Sequence, residues 1–461
     1  MKGDPPVTGP GTQPGDKAPV RTNATVAPVR TKAADPPSRT KTAATLTRTM
    51  TPPLKAKTEA TPLKAKAEAT PVLATSTAPL PGAATQALAS AAASGPDNAN
   101  GKDSFGPASF PPPSETGISK LLLFPDKLAS LLKCSPERPD PLFPISVELS
   151  ITNRCNLDCN YCSDNKIRNY PDQFNSVLLD RLFAELAEGG TKGVVFEGGG
   201  EPLMSPLFDQ ALKDCLARGL SAGLITNGLL LYGLYPREML LPRLEWIRVS
   251  LDAANRNQYR SIKFGDFFDR AIRAIEDLCR LNPKPVVGVG YVLTNYNDEP
   301  APLRELALRL RDMGCDYLQI RPVVDHQSYE SDRSDEIAEA LDGISGPSFT
   351  VDLAPLTDNL PNGNLNLPCR AHSLSAVVCA DTRIFSCGRL YDKPGFLPIG
   401  ALASPYSLGS FRDAWYGKVR SEQNAFLASP RFCAENCPRC RMTKYNRLLD
   451  EVSRLRTRDF I

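Results

Sequence analysis

Histidine is nearly absent from this chain. Only His326 and His372 occur in 461 residues, too few for the histidine-rich sites of zinc hydrolases or non-haem iron oxygenases. Charge of one sign is lacking too. The 54 basic and 51 acidic side chains leave a formal charge of +3, which gives no reason to expect nucleic acid as a partner. No apolar run reaches the roughly 18 residues that a membrane-spanning helix needs, and no secretory-type apolar segment stands at the N-terminus. The expectation is a soluble, cytoplasmic protein with no membrane partner and reduced thiols.

What the chain does have is cysteine, 13 residues of it. They are clustered, unlike the even spread of a secreted disulfide framework, and clustered thiols in a reducing compartment point to metal.

Residues 1–115 read as a disordered arm rich in Pro, Thr, Ala, Ser and Lys, with too little apolar surface to offset chain entropy. The segment PLKAKTEATP followed by PLKAKAEATP is a nine-residue repeat, too short and polar for a solenoid, and reads as a spacer. The first 70 residues carry twelve Lys or Arg against five Asp or Glu, but their prolines oppose the amphipathic helix of an organelle signal.

Periodic structure begins near residue 117, with an amphipathic helix over Ile118–Cys134. Strands are expected at Ile145–Ile151, Gly193–Phe196, Ala222–Thr226, Trp246–Leu251, Val286–Leu293 and Tyr317–Val323. Helices fall between them at Ser176–Glu188, Leu207–Arg218, Phe267–Leu281 and Leu303–Met313, with weaker ones near Tyr235–Leu240 and Asp335–Leu341. Six strands separated by helices imply an α/β fold, a partial (β/α)6 barrel over residues 116–350 with its chemistry at the strand C-terminal ends. Residues 351–461 form a second region with six cysteines, a hairpin of Ala376–Val378 with Ile384–Ser386, and a basic helix at the end.

Directly after the first strand, SITNRCNLDCNYCSDN places Cys155, Cys159 and Cys162 within eight residues. Three thiolates can bind three irons of a [4Fe–4S] cluster and leave the fourth iron free for a chelating amine and carboxylate. A zinc loop would need a fourth Cys or His nearby, and the sequence offers none. This Cys-x3-Cys-x2-Cys loop, with Tyr161 before its last cysteine, resembles the signature of the radical S-adenosylmethionine (radical SAM) superfamily. The resemblance implies that S-adenosylmethionine binds the open iron and is reductively cleaved to a 5′-deoxyadenosyl radical, which abstracts hydrogen from an organic substrate.

Other loops carry the resemblance further. After the second strand, EGGGEPLM contains Gly199, Gly200 and Glu201, which by resemblance hold the cofactor's ammonium through backbone carbonyls and a carboxylate. The third strand ends in Thr226-Asn227-Gly228. In the fourth, RVSLDAANRNQYRSIK, Ser250 and Asp252 face the barrel mouth if Val249 and Leu251 face the helices. Ser250 and Arg260 match family positions that touch the cofactor's carboxylate or ribose. Gln319 and Arg321 on the sixth strand are candidates for the mouth.

The second cysteine group comprises Cys369, Cys379, Cys387, Cys433, Cys437 and Cys440. It is similar to the auxiliary-cluster domains called twitch and SPASM. The resemblance implies one further [4Fe–4S] cluster on Cys369, Cys387, Cys437 and Cys440, with Cys433 a substitute and Cys379 a buried small side chain. Tetrahedral zinc fits the same spacing and stays open as an alternative. Cys134, Cys215, Cys279 and Cys315 lie in apolar helical patterns and read as core.

The layout implies an enzyme acting on a small molecule, with the N-terminal arm inclining the choice to a carbohydrate or aminoglycoside-like substrate, through dehydrogenation, epimerisation or elimination. A reducing protein such as flavodoxin or ferredoxin is the implied partner. The alternatives are a maturase of ribosomal peptides and a non-catalytic iron–sulfur electron carrier. A cobalamin-dependent methyltransferase is disfavoured, because no cobalamin-binding domain precedes the cysteine loop.

Overall fold

Strands and helices alternate from residue 146 onward in the computed structural model, which describes residues 120–168, 170–231, 239–323, 327–353, 367–388, 390–391, 396–404, 407–429, 432 and 440–455. The residues read as a disordered arm, the weak helix near Tyr235–Leu240 for the most part, His326, Cys433 and Cys437 lie outside the described residues.

Residues 120–122 are helical, and a second helix, α1, covers Pro125–Leu132. The helix expected over Ile118–Cys134 is thus interrupted before Pro125, which has no amide proton to continue the preceding turn and occupies the first position of α1 instead. Next come β1 Ser146–Leu149, α2 Ser176–Glu188, β2 Gly193–Phe196, α3 Phe208–Ala217, β3 Ser221–Thr226, β4 Trp246–Ser250, α4 Arg256–Lys263 and α5 Phe268–Cys279. They are followed by β5 Val286–Leu293, α6 Pro300–Asp312, β6 Tyr317–Pro322, α7 Ser334–Leu341 and β7 Thr350–Asp352. Strands β1 to β7 pair in parallel and in chain order. The six expected strands are all present, and β7 adds a seventh.

Each strand divides its side chains by the two-residue alternation of extended backbone. In β4, Ile247 and Val249 are fully buried against the helices, as are Leu318 and Ile320 in β6. Arg248, Ser250, Gln319 and Arg321 therefore project from the opposite face, into the barrel.

The later strands extend this same sheet. The hairpin is β8 Ser375–Val378 with β9 Arg383–Phe385, and β8 lies parallel beside β1, with Ser146 opposite Ser375. Strand β10, Gly400–Ala401, closes the order β10-β9-β8-β1-β2-β3-β4-β5-β6-β7. Among the described residues the two edges do not pair, so the barrel is open. The boundary expected near residue 350 falls at β7, and the strands beyond it remain in the sheet. No helix among the described residues is long and apolar enough to cross a membrane.

The C-terminal region is tied down by Arg420, which is buried, stacks on Trp415 at 3.8 Å and donates to the carbonyls of Asp140 and Trp415. His372 is buried near it, and its pKa is lowered to about 3 by burial and then by Arg420. A depressed pKa means that the unfolded chain takes up this proton first as pH falls. The histidine's contribution to stability is whole above about pH 6.5 and shrinks toward pH 3. Wild type should lose about 2 kcal/mol more stability than His372→Gln between pH 7 and pH 5, read by urea unfolding at each pH. Equal slopes for the two proteins would remove the histidine from the account.

Candidate active site

The loop after β1 is built before it reaches its first cysteine. Asp172 accepts from Thr152 Oγ1 at 2.6 Å and from the Asn153 amide at 2.7 Å, fixing the approach. The amides of Gly200 and Glu201 donate to the carbonyls of Thr152 and Arg154, each at 2.9 Å. On the far side, the Asn160 amide donates to Ile262 of α4 at 3.0 Å. The cysteine loop is thus stitched between the loop after β2 and the helix after β4, all at strand C-terminal ends.

Close approach explains the glycines of EGGGEP. A methyl group on Gly199 would stand 2.2 Å from Ser150 Oγ, and one on Gly200 2.1 Å from the Arg154 carbonyl oxygen. Gly199 also has φ +63°, which other residues rarely adopt. Any side chain here would push the two loops apart.

Glu201 is buried at the centre of this seam. Its carboxylate accepts from Thr226 Oγ1 at 2.6 Å, the Asn227 amide at 2.7 Å and the Leu203 amide at 3.2 Å. Burial pushes its pKa up and these donors oppose the rise. A carboxylate has about four acceptor positions, so one stays available for an ammonium. Asn227 extends the seam by donating to Asn156 Oδ1 at 2.7 Å.

The three cysteines are half-buried. Burial raises the Cys155 thiol, and pushes Cys159 up to about 11 against the pull of nearby Lys263. Arg168 hydrogen-bonds Cys162 and also donates to the Leu157 carbonyl at 2.7 Å and Asp158 at 2.6 Å, so a fixed cation stands beside that thiol. A cavity of about 400 Å³ adjoins Cys155, with Arg168, Lys263, Phe264 and Phe267 in its wall. Among the described residues no three His, Cys, Asp or Glu gather tightly enough to hold one metal ion. A four-iron cube takes each thiolate on a different iron, so its ligands stand farther apart than those of a single ion. The donor set, the adjoining space and the spare acceptor on Glu201 fit a [4Fe–4S] cluster carrying S-adenosylmethionine.

Arg260 is not brought to this site. Helix α4 is capped by Asn255 and buries Tyr259, Ile262 and Lys263, which turns Arg256 and Arg260 outward at the i, i+4 spacing. Arg260 pairs with Asp266 at 2.6 Å, both more than half exposed. The inward cation is Lys263, the helix's last residue. Its ammonium lies 2.8 Å from Asp252 and donates to the Ser250 carbonyl. Asp252, at φ 56°, also accepts from Tyr161 Oη at 2.6 Å and the Val292 amide at 2.7 Å. Lys263 was missed because a lysine ending a polar helix carries no signal by itself. The signal present was the spacing from Tyr259 and Ile262.

Three of the four expected auxiliary ligands meet. Cys369 and Cys440 are buried in one cluster with Leu390, Leu427 and Phe432, and Cys387 packs against it. Asn446 Nδ2 lies 3.5 Å from Cys369 Sγ, and the Met442 amide lies 3.4 Å from Cys440 Sγ. Cys379 is buried elsewhere, with Val377 and Phe385. Of the cysteines read as core, Cys215 and Cys315 are fully buried and Cys134 and Cys279 partly so.

The structure is thus an open α/β barrel with a three-cysteine loop at its strand C-terminal ends. Residues 149–307 match the model of the Radical SAM superfamily. These residues form a radical SAM domain, and enzymes of that superfamily use a [4Fe–4S] cluster and S-adenosylmethionine. GTP 3',8-cyclase of Chlorobaculum tepidum is 26% identical over 188 residues, 41% of this chain and 57% of that protein. A probable GTP 3',8-cyclase of Methanopyrus kandleri is 33% identical over 166 residues, 35% of this chain and 52% of that one. The chain thus spans little more than half the length of these relatives. Among solved structures, Streptococcus suis SuiB bound to precursor peptide SuiA superposes with a TM-score of 0.51 at 15% identity, over 72% of this chain and 78% of that one. This likeness is one of fold.

Proposed function

We propose that the chain reductively cleaves S-adenosylmethionine and uses the product to abstract hydrogen from a small organic molecule held in the barrel. When bound, the cluster and S-adenosylmethionine supply a 5′-deoxyadenosyl radical. Cys155, Cys159 and Cys162 would hold three irons, and Arg168 would offset the negative charge at Cys162. The carbonyls of the Gly199–Gly200 loop and Glu201 would hold the ammonium of the cofactor. Lys263, in place of Arg260, would face its carboxylate near the end of β4, with Ser250 beside it.

The observation that carries this reading is Glu201. A buried carboxylate with three fixed donors and one free acceptor position, stitched to the cysteine loop through its own amide, is arranged for a cation beside the thiols. An electron carrier has no use for it. Glu201→Gln keeps the shape and removes the charge, so it should retain iron and sulfide at the wild-type level. Its 5′-deoxyadenosine yield should fall at least about tenfold, as expected for loss of a charged hydrogen bond of roughly 1.5–3 kcal/mol. Equal yields from the two proteins would defeat the assignment.

Residues 351–461 would carry an auxiliary cluster on Cys369, Cys387, Cys437 and Cys440, with zinc as the competing occupant. The convergence of Cys369, Cys387 and Cys440 in one apolar cluster supports a shared site. A flavodoxin- or ferredoxin-like protein would supply the electron in the cytoplasm. Of the two substrate types expected from the sequence, a carbohydrate fits the barrel better than a polycationic aminoglycoside, which would meet the like charges of Arg248 and Arg321. Action on GTP, named in the cyclase relatives, is the second reading, favoured by identities of 26% over 188 residues and 33% over 166. Peptide maturation rests only on the fold shared with SuiB.

A further inference from the structure

The inner face of the barrel carries more positive charge than the cofactor reading uses. Arg248 on β4 and Arg321 on β6 both project inward, separated by β5. Between them β5 offers glycine: Gly288 pairs with Arg248 and Tyr317, and Gly290 with Ser250 and Gln319. A methyl group on Gly288 would strike the Tyr317 ring at 2.0 Å, and one on Gly290 would just touch Arg248 Cδ at 3.5 Å. The absent side chains of β5 leave the room across which these larger groups lie.

The neighbouring charges do not balance the pair. Glu197, just past the end of β2, is an acid within electrostatic reach of both guanidinium groups. Asp252 is also felt by Arg321, but it already serves Lys263, Tyr161 and the Val292 amide. Asp352 accepts from Gln319 at 2.9 Å, and Glu148 pairs with Arg441. Arg248 gives one arm to Gln319 Oε1 at 2.8 Å and also hydrogen-bonds Tyr317. The Nε of Arg248 and the Nε of Arg321 are both buried and lack a hydrogen-bond partner among the described residues. Burial and then repulsion from Arg248 lower the Arg321 pKa.

Two like-charged guanidinium groups whose Nε donors lack a partner among the described residues are costly to bury unless a further anion completes them. A guanidinium fork matches the planar oxygen pair of a carboxylate or the oxygens of a phosphoryl group. We infer that Arg248 and Arg321 form a substrate subsite for an oxyanion, a carboxylate or phosphoryl group, with Glu197 as a counter-charge limiting its strength. Arg321 lies within electrostatic reach of Tyr161 and Asp252, beside the cysteine loop, so the subsite would hold the substrate's anionic end within the barrel. This deepens the proposed function by giving its substrate a charge, and it rests on that reading for the word substrate.

Calorimetric titration of the anaerobically reconstituted full chain with pyrophosphate, with citrate, and with glucose as a neutral comparator tests it. At least one anion should bind wild type and glucose should not, and the anion that binds separates phosphoryl from carboxylate. Arg321→Met should weaken that binding about tenfold or more, as for a lost charge-assisted hydrogen bond, while exposed Arg256→Gln should leave it unchanged. Glu197→Gln should tighten binding severalfold, a gain that misfolding cannot produce. Binding of neither anion, equal binding to wild type and a folded Arg321→Met, or weaker binding to Glu197→Gln would each overturn the proposal. The titration needs no cleavage of S-adenosylmethionine. Cleavage without Arg321-dependent binding removes the subsite alone, and binding without cleavage removes the radical reading alone.

Discussion

Replacing Cys155, Cys159 and Cys162 together by alanine is expected to abolish 5′-deoxyadenosine formation and to lower iron from about eight to about four per chain. The two numbers test two sites at once. Loss of activity follows because the hydrogen-abstracting chemistry belongs to the cofactor pair, and these thiols, proposed to hold the cluster, stand at a strand end beside Glu201. The remaining iron would report the second group, where Cys369, Cys387 and Cys440 converge. Cys379→Ser is the matched control, since Cys379 is buried apart from that group, and it should keep about eight irons. Wild type loaded with about four irons plus zinc would leave the radical site standing and make the C-terminal site structural. Wild type carrying full iron but yielding no 5′-deoxyadenosine with reductant and S-adenosylmethionine would move the chain to the electron carriers.

The elements of the barrel were legible where the signal is local. Val286–Leu293 as a strand and Ser176–Glu188 as a helix were readable to the residue, because strand runs and helical periodicity lie within one segment. The hairpin expected at Ala376–Val378 with Ile384–Ser386 lies at Ser375–Val378 with Arg383–Phe385, readable within a residue because a turn separates two apolar runs. Its parallel pairing with β1 was not, since two strands far apart in sequence carry no mark of being neighbours. Strand β7 is only three residues long and gives no alternation to read. The cysteine loop and EGGGEP were legible as motifs, but their mutual dependence was not. Only the distances from Gly199 and Gly200 to Ser150 and Arg154 reveal why side chains are excluded there. Arg260 failed as a candidate because position after a strand does not say which way a helix turns. Helix α4 spends its inward positions on Tyr259, Ile262 and Lys263.

That inward lysine leads to the second large effect. Lys263→Met should destabilise the fold by about 3–5 kcal/mol, the usual cost of removing one partner from a buried ion pair. Burial alone would lower the lysine's pKa, but Asp252, and after it Cys159, outweigh burial and raise it above its ordinary value. A raised lysine pKa contributes stability that is complete below the unfolded value and is lost only in strong alkali, so the pair is intact at any working pH. Without Lys263, Asp252 keeps Tyr161 and the Val292 amide as donors but loses its counter-charge, in a pocket where its side chain is 3% exposed. Asp252→Asn combined with Lys263→Met removes both charges and should recover much of the loss in urea unfolding. If Lys263 also positions the cofactor's carboxylate, the double variant should still bind S-adenosylmethionine at least about tenfold more weakly than wild type, and Lys263→Arg should restore part of that binding by keeping the charge. Recovery of stability and of binding together would make Lys263 a structural counter-ion to Asp252 and nothing more. Recovery of stability without binding assigns it both tasks, because neutralising Asp252 relieves the buried charge but offers no cation to a ligand.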